Sequence, residues 1–305
     1  MIQNAVIGLG AGLAAALLFG SMVSGSLAAV LLFYLAPLPI LVAALGWSQV
    51  AGLIAAASAT AIVAIFSGVF FLSAAAVVSF GAWWLGYLTL LARPASGRSA
   101  TDLEWYPVGR LVLWAAAIGT LLVAAVVPNF GTDQDTLQAG LRRSYERLIH
   151  DQTTIDLLVY AAPPAAAACS TFTNVLNLWL AACIVKVSGR LKRPWPDLTA
   201  LALPPATPGL LAAAIGASFL PDLLGILSGA CAASLMMAFA LLGFAVLHSV
   251  TLGMNGRAVV LASAYAAAVV LGWPLLLIAI AGLVEIFFNI RLRVAQRRRP
   301  PSLRT

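Results

Sequence analysis

Residues 4–45 read NAVIGLGAGLAAALLFGSMVSGSLAAVLLFYLAPLPILVAAL, and the chain stays free of Asp, Glu, Lys and Arg as far as residue 92. No water-facing domain can be built from such a stretch, because a soluble surface must be coated with charge and polarity. The whole sequence carries the same signature. Of its 305 residues 62% are hydrophobic and 9% charged, against about 25% charged in soluble chains, and the mean hydropathy is +1.02. The apolar residues come in long blocks and do not alternate with polar ones, so the spans are helices and not the strands of a membrane barrel. The fold class is therefore all-α: a polytopic transmembrane bundle, one membrane-embedded domain over 1–305.

A span needs about 20 apolar residues. Where charge is missing, Gly, Ser and Pro mark the boundaries. Breaks at Ser24-Gly25-Ser26, Gly46-Trp47-Ser48-Gln49 and Ser67-Gly68 give spans near 4–23, 27–45, 50–68 and 69–92. Pro37-Leu38-Pro39 must bend or interrupt the second. A polar loop, 93–107, precedes a span at 108–128. The run 157–187 holds Pro163-Pro164 near its start, which predicts one tilted helix with a disrupted first turn. A basic, Pro-rich loop over 188–204 leads to spans near 208–220 and 223–250, parted by Pro221-Asp222. Gly272-Trp273-Pro274 divides 258–290 into two short spans. The expectation is about ten spans, with eight or nine also compatible.

Segment 129–156 is the one sizeable polar stretch. In it Leu137, Leu141, Tyr145, Leu148 and Ile149 fall at helical spacing, with Arg142, Arg143, Glu146, Arg147 and His150 elsewhere around the turn. That pattern predicts a short amphipathic helix at the membrane surface. Orientation follows from charge. Of 17 Lys and Arg residues, 14 lie in the loops and ends that alternate with this segment: Arg93, Arg98, Arg110, Lys186, Arg190, Lys192, Arg193, Arg257, Arg291, Arg293 and four in the tail. The positive-inside bias places both termini in the cytoplasm, 129–156 outside and the basic tail 291–305 against anionic headgroups. The setting is a bacterial-type inner membrane. The chain opens without a basic n-region, so the first span reads as retained rather than as a cleaved signal. The positive charge sits where topology demands it, so nucleic acid is not an expected partner.

Small residues recur every four positions in two ladders, Gly8, Gly12, Ala16, Gly20, Ser24 and Gly52, Ala56, Thr60, Ala64, Gly68. Such faces let helices approach closely in lipid, within the bundle or against a partner subunit. A few polar side chains fall inside spans. Asn174 and Asn177, with Thr171 and Thr173, share one helix face at i and i+3. His248 and Glu285 are ionisable, and Glu285 lies about 9 Å inside the cytoplasmic end. Each has two readings, a structural hydrogen bond or ion pair, or membership of an intramembrane polar cluster formed by Asn174, Asn177, His248 and Glu285. Cys169, Cys183 and Cys231 form no C-x-x-C pair and read as small buried hydrophobes. No P-loop, H-E-x-x-H or G-x-S-x-G occurs, so no cofactor, metal site or enzyme is expected.

The run Phe172-Thr173-Asn174 to Trp179, the basic turn to Pro194, the Leu203-Pro204 ending, Gly243 to His248, Gly282 to Arg291 and the early Pro37-Leu38-Pro39 resemble the YybS-like predicted membrane proteins. At Glu285 the family pattern has aspartate. That family is distantly similar to the substrate-binding components of energy-coupling-factor transporters, which bind vitamins or metal ions and borrow ATPase subunits. The resemblance implies a transporter-like bundle that binds a small solute and relies on other membrane or ATPase subunits. A non-transporting scaffold or assembly factor is the alternative.

Overall fold

The computed structural model describes residues 1–67, 69–94, 103–130, 134–146 and 151–298. Arg98, Asp102, Arg147, Leu148, Ile149, His150, Arg299 and the rest of the tail lie outside them. The chain is a helical bundle: α1 (Ile2–Gly20), α2 (Leu27–Tyr34), α3 (Pro37–Gly46), α4 (Gln49–Ser67), α5 (Val69–Thr89), α6 (Val108–Val126), α7 (Gln134–Glu146), α8 (Gln152–Val187), α9 (Thr207–Ala217), α10 (Asp222–Val250), α11 (Arg257–Leu271), α12 (Pro274–Phe288) and α13 (Ile290–Arg298). The polar loop after α5 contains a hairpin of β1 (Ala92–Pro94) and β2 (Leu103–Trp105), too short to leave an alternating pattern in the sequence.

Seven helical segments are long and apolar enough to cross a membrane: Ile2–Gly20, Leu27–Gly46, Gln49–Phe66, Phe71–Thr89, Val108–Asn129, Gln152–Val187 and Asp222–Val250. The pair α12 and α13, bent by 74°, makes eight if it is counted as one span. The remaining expected spans, α9 and α11, have 11 and 15 residues, or about 16 and 22 Å of helix. They are shorter than expected because α9 ends at its cap Ser218, while Gly256 and Gly272, both at positive φ, bound α11. The run 157–187 is also different. Asp151 caps the helix by accepting from Thr154 N at 2.9 Å, and α8 continues unbroken through Pro163-Pro164 for 36 residues.

Burial is inverted relative to a soluble protein. On α1 the large residues Val6, Leu9, Leu13 and Leu17 face outward, while Gly8, Gly12, Ala15, Ala16 and Phe19 are buried. In lipid, large apolar residues gain nothing by leaving the solvent, and close backbone approach supplies the dispersion that holds helices together. The first ladder is such an approach, made inside the bundle. A Cβ on Gly8 would lie 2.7 Å from Ala51 O, and one on Gly12 would lie 1.9 Å from Ser58 Oγ. Gly20, at the end of the same ladder, has nothing within 4 Å. In the second ladder Gly52 meets Ala44 and Trp83, so α4 packs on α1 with one face and on α3 and α5 with another; Gly68 lies outside the described residues.

Contacts sort the helix ends into two groups. At one end Trp83 Nε1 donates to Gln49 O, Arg193 Nη1 donates to Thr89 O, Arg190 covers Trp47 and Lys186 covers Trp195. At the other end α7 lies across the bundle. Its Leu137 is buried with Val123, Val127, Ala167 and Ala230. Lys186 at the end of α8 and Arg190 and Arg193 of the following loop thus gather with Trp47 and Trp195 at the end away from α7.

Gly12→Val should lower stability by about 1–3 kcal/mol, the usual cost of forcing extra volume into a packed contact. Gly10→Val, on the same helix with open space at its Cβ, should stay within about 0.5 kcal/mol. Thermal unfolding of the two purified variants in one detergent checks the contrast.

Candidate binding site

The intramembrane polar residues do not form the expected cluster. Among the described residues no hydrogen bond or ion pair joins any two of Asn174, Asn177, His248 and Glu285. Each bonds to other neighbours, and the buried Asn177 Oδ1 has no hydrogen-bond partner among the described residues. Pro37 and Pro39 break the second span, and around the break the backbone turns on short bonds: Ala36 N to Phe33 O and Leu38 N to Leu35 O. Tyr34 O loses the partner a continuous helix would give it. Asn177, 1% exposed, supplies one: its Nδ2 donates to Tyr34 O and to Thr173 O, both at 2.8 Å. Asn174 is buried too and donates to Ser170 Oγ at 3.4 Å. His248 Nε2 pairs with Tyr265 Oη at 2.9 Å, and Tyr265 stacks on Phe244, which ties α11 to α10.

Glu285 locks the bend between α12 and α13. The turn runs through Asn289 at φ 47°, a left-handed position that Asn tolerates. Arg291 folds back, donating from Nε to Glu285 Oε1 at 2.8 Å and from its backbone N to Oε2 at 3.2 Å. Its Nη1 donates to Thr199 O at 2.6 Å. Asp197 fixes that carbonyl by accepting from Thr199 N and Oγ1, bonds that also hold the Asp197 carboxyl below its usual range. Each Glu285 oxygen accepts one bond from Arg291, so the carboxylate locks the turn between α12 and α13. Arg193, buried in the same loop, keeps its one bond to Thr89 O, and burial lowers its pKa.

The space for a ligand lies at the other end. A cavity of about 480 Å³ opens beneath α7. Phe19, Gly20 and Met22 come from the end of α1 and its following turn; Phe33, Phe71, Val123, Val126, Phe130, Ala162, Pro163 and Ala166 complete the walls, and Leu137, Leu141 and Tyr145 of α7 form the roof. No lining residue is charged. Burial raises the Tyr145 hydroxyl, so it stays a neutral phenol. A second pocket of about 230 Å³ lies across Leu137 and Pro163, which line both. Its other walls include Gln138, Tyr160, Pro164, Ser218 and Asp222. The stripe Leu137, Leu141 and Tyr145 was legible in the sequence. The facing small residues Gly20, Ala162 and Ala166 were not, since nothing separates an alanine under a cavity from the many that pack.

Among the described residues no group of three His, Cys, Asp or Glu side chains could hold a metal ion, and the three cysteines are unpaired. No family model, curated protein or solved structure matches the chain.

Glu285→Gln should cost roughly 3 kcal/mol, because it leaves the half-buried Arg291 guanidinium without its counter-charge. The double variant Glu285→Gln with Arg291→Gln, which orphans no charge, should recover part of that loss. Unfolding measurements on the single and double variants test this coupling.

Proposed function

We propose that the protein is a membrane-embedded binding bundle whose cavity accepts the apolar chain of a membrane amphiphile. The cavity carries this reading. Its volume lies within the roughly 300–1,000 Å³ usual for small-molecule sites, and its lining offers no charge to a hydrophilic solute. An empty space of that size would forfeit dispersion contacts on every wall; a hydrocarbon chain restores them. In this reading the amphiphile approaches from the leaflet on the α7 side, and the bundle binds it without nucleotide chemistry of its own. Any energetic coupling would come from partner subunits.

The same reading sets the orientation. The basic end faces the cytoplasm of a bacterial-type cell, both termini lie there, and α7 lies outside. The short helices α9, α11 and α12 complete ten passes as thin spans. The gathering of Arg190, Lys186 and Arg193 with Trp47 and Trp195 supports this, since Lys, Arg and interfacial Trp mark a cytoplasmic boundary.

Two outcomes are expected. Reporter fusions should give a cytoplasmic signal at Thr305 and an extracytoplasmic one at Thr132; a cytoplasmic signal at Thr132 would overturn the orientation. Ala166→Phe, which fills the cavity from α8, should reduce the lipid that co-purifies with the protein, read by mass spectrometry of gently delipidated samples. A wild-type chain that retains no amphiphile at all would leave a scaffold as the better reading.

A further inference from the structure

An apolar cavity cannot by itself select a ligand inside a membrane, because the surrounding tails are as apolar as its walls. Selection has to come from the polar end of the amphiphile, and the second pocket supplies the chemistry for it. We propose that this pocket receives a primary ammonium headgroup, so that the ligand is an amine-bearing lipid with its chain under α7. The inference rests on the chain-binding reading above.

The pocket is largely apolar, and Asp222 is the one charged residue among its lining residues. Pro163 and Pro164 have no N–H, so the carbonyls of Val159 and Tyr160, four residues earlier on α8, lose the donors a helix would give them. All four residues line the pocket. Asp222, an exposed residue, also lines the pocket. It caps nothing in α10, and among the described residues it has no hydrogen bond or ion pair. Its backbone sits at φ 59°, a left-handed position that Asp tolerates better than most residues. The turn there folds onto Gly225, whose Cβ would lie 2.1 Å from Leu220 O. No Lys or Arg lines the pocket. Carbonyls that receive no proline N–H, in the same pocket as a carboxylate, call for a compact cation with several N–H donors, which is what a primary ammonium offers and a quaternary one does not.

Arg142 adds the other half of a zwitterion. It follows Gln138 by one turn of α7 and pairs with Asp156, one turn before Tyr160 on α8. It also bonds Gln152 Oε1 at 3.2 Å. A guanidinium has five N–H donors, so capacity remains for a phosphate at the pocket mouth. Phosphate near Arg142, ammonium near Asp222 and chain beyond Leu137 describe one phosphoethanolamine-type lipid.

The test reconstitutes the full chain with equal amounts of dioleoyl phosphatidylethanolamine, its N-acetylated form and dioleoyl phosphatidylglycerol, then measures the lipid retained. The wild-type chain should favour the free amine by about fivefold, the selectivity a partly exposed ion pair supports. Asp222→Asn should lower that preference to about twofold or less; Asn also tolerates the left-handed backbone, so the turn should survive. Equal retention of the three lipids by the wild-type chain overturns the ammonium proposal and leaves chain binding intact. Retention of none removes both. The N-acetylated lipid is tested on the wild-type chain, so the outcome does not depend on how the variant folds. Displacement by soluble phosphoethanolamine at matched concentration would show a soluble amine site and overturn the lipid assignment.

Discussion

Inside a bilayer every backbone N–H and C=O must find its partner within the protein, because lipid offers none. Most of this bundle meets that demand with continuous helices, and its distinctive polar residues stand where continuity fails. Pro37 and Pro39 interrupt the second span, and Asn177 donates to the freed Tyr34 carbonyl. The left-handed turn at Asn289 ends α12, and Arg291 bridges that turn to Glu285 and Thr199. Asn177 and Glu285 look functional by the rule that polar groups in membranes mark sites. Here the same energetics make them repairs. The break at Pro163-Pro164 is of another kind. The helix runs on through it, and the residues around it line an open pocket rather than a packed contact.

The same solvent explains the packing. Without a hydrophobic effect between helices, contact depends on backbones coming close. Gly243 and Gly282 show the limiting case: a Cβ on the first would lie 1.9 Å from Ile278 O and one on the second 2.1 Å from Phe239 O. At the α6, α8 and α10 crossing, Gly119 lies against Ala167 O and Thr171 Oγ1. Thr171 Oγ1 itself donates to Ala167 O, so the buried hydroxyl is satisfied within its own helix. On α1 the large residues Val6, Leu9, Leu13 and Leu17 face outward. The interior as a whole combines small residues, mainly Ala, with large ones such as Phe239, Ile40, Leu41, Leu45, Leu85, Ile155 and Leu242.

Much of this was legible in the sequence. The charge-free run to residue 92 decides the class, because no other environment admits it. The stripe at Leu137, Leu141 and Tyr145 marks α7, since helical periodicity in a polar segment has few other meanings. What stayed hidden was distance. Asn174, Asn177, His248 and Glu285 look alike in the sequence as polar residues in apolar runs, and their separation depends on how helices are arranged. The cavity was hidden for a related reason. It is a space left where α7 spans small residues such as Gly20 and Ala166, and composition does not record spaces. The short helices were overestimated because apolar residues continue through Ser218 and Gly272 into the turns, so hydropathy outlasts the helix.

Those short helices bear on where a lipid would meet the protein. A hydrocarbon layer is about 30 Å thick, whereas α9, α11 and α12 supply about 16, 22 and 22 Å of helix. A stretch shorter than the layer is accommodated by local thinning or by side chains that reach to the interface. Trp273, 60% exposed at the turn between α11 and α12, is an interfacial residue of this kind. The turn after α9, Ser218 to Leu220, lines the smaller pocket, so the thin flank and the pocket share one edge of the bundle. Thinning there draws the headgroup layer inward, toward the level of Asp222 and Tyr160. In the lipid-binding reading, headgroup and acceptor groups would then meet at the same depth, while α8, which lines both pockets, carries the chain cavity. A uniform ring of full-length spans would keep the headgroups above Asp222 and leave its carboxylate facing hydrocarbon.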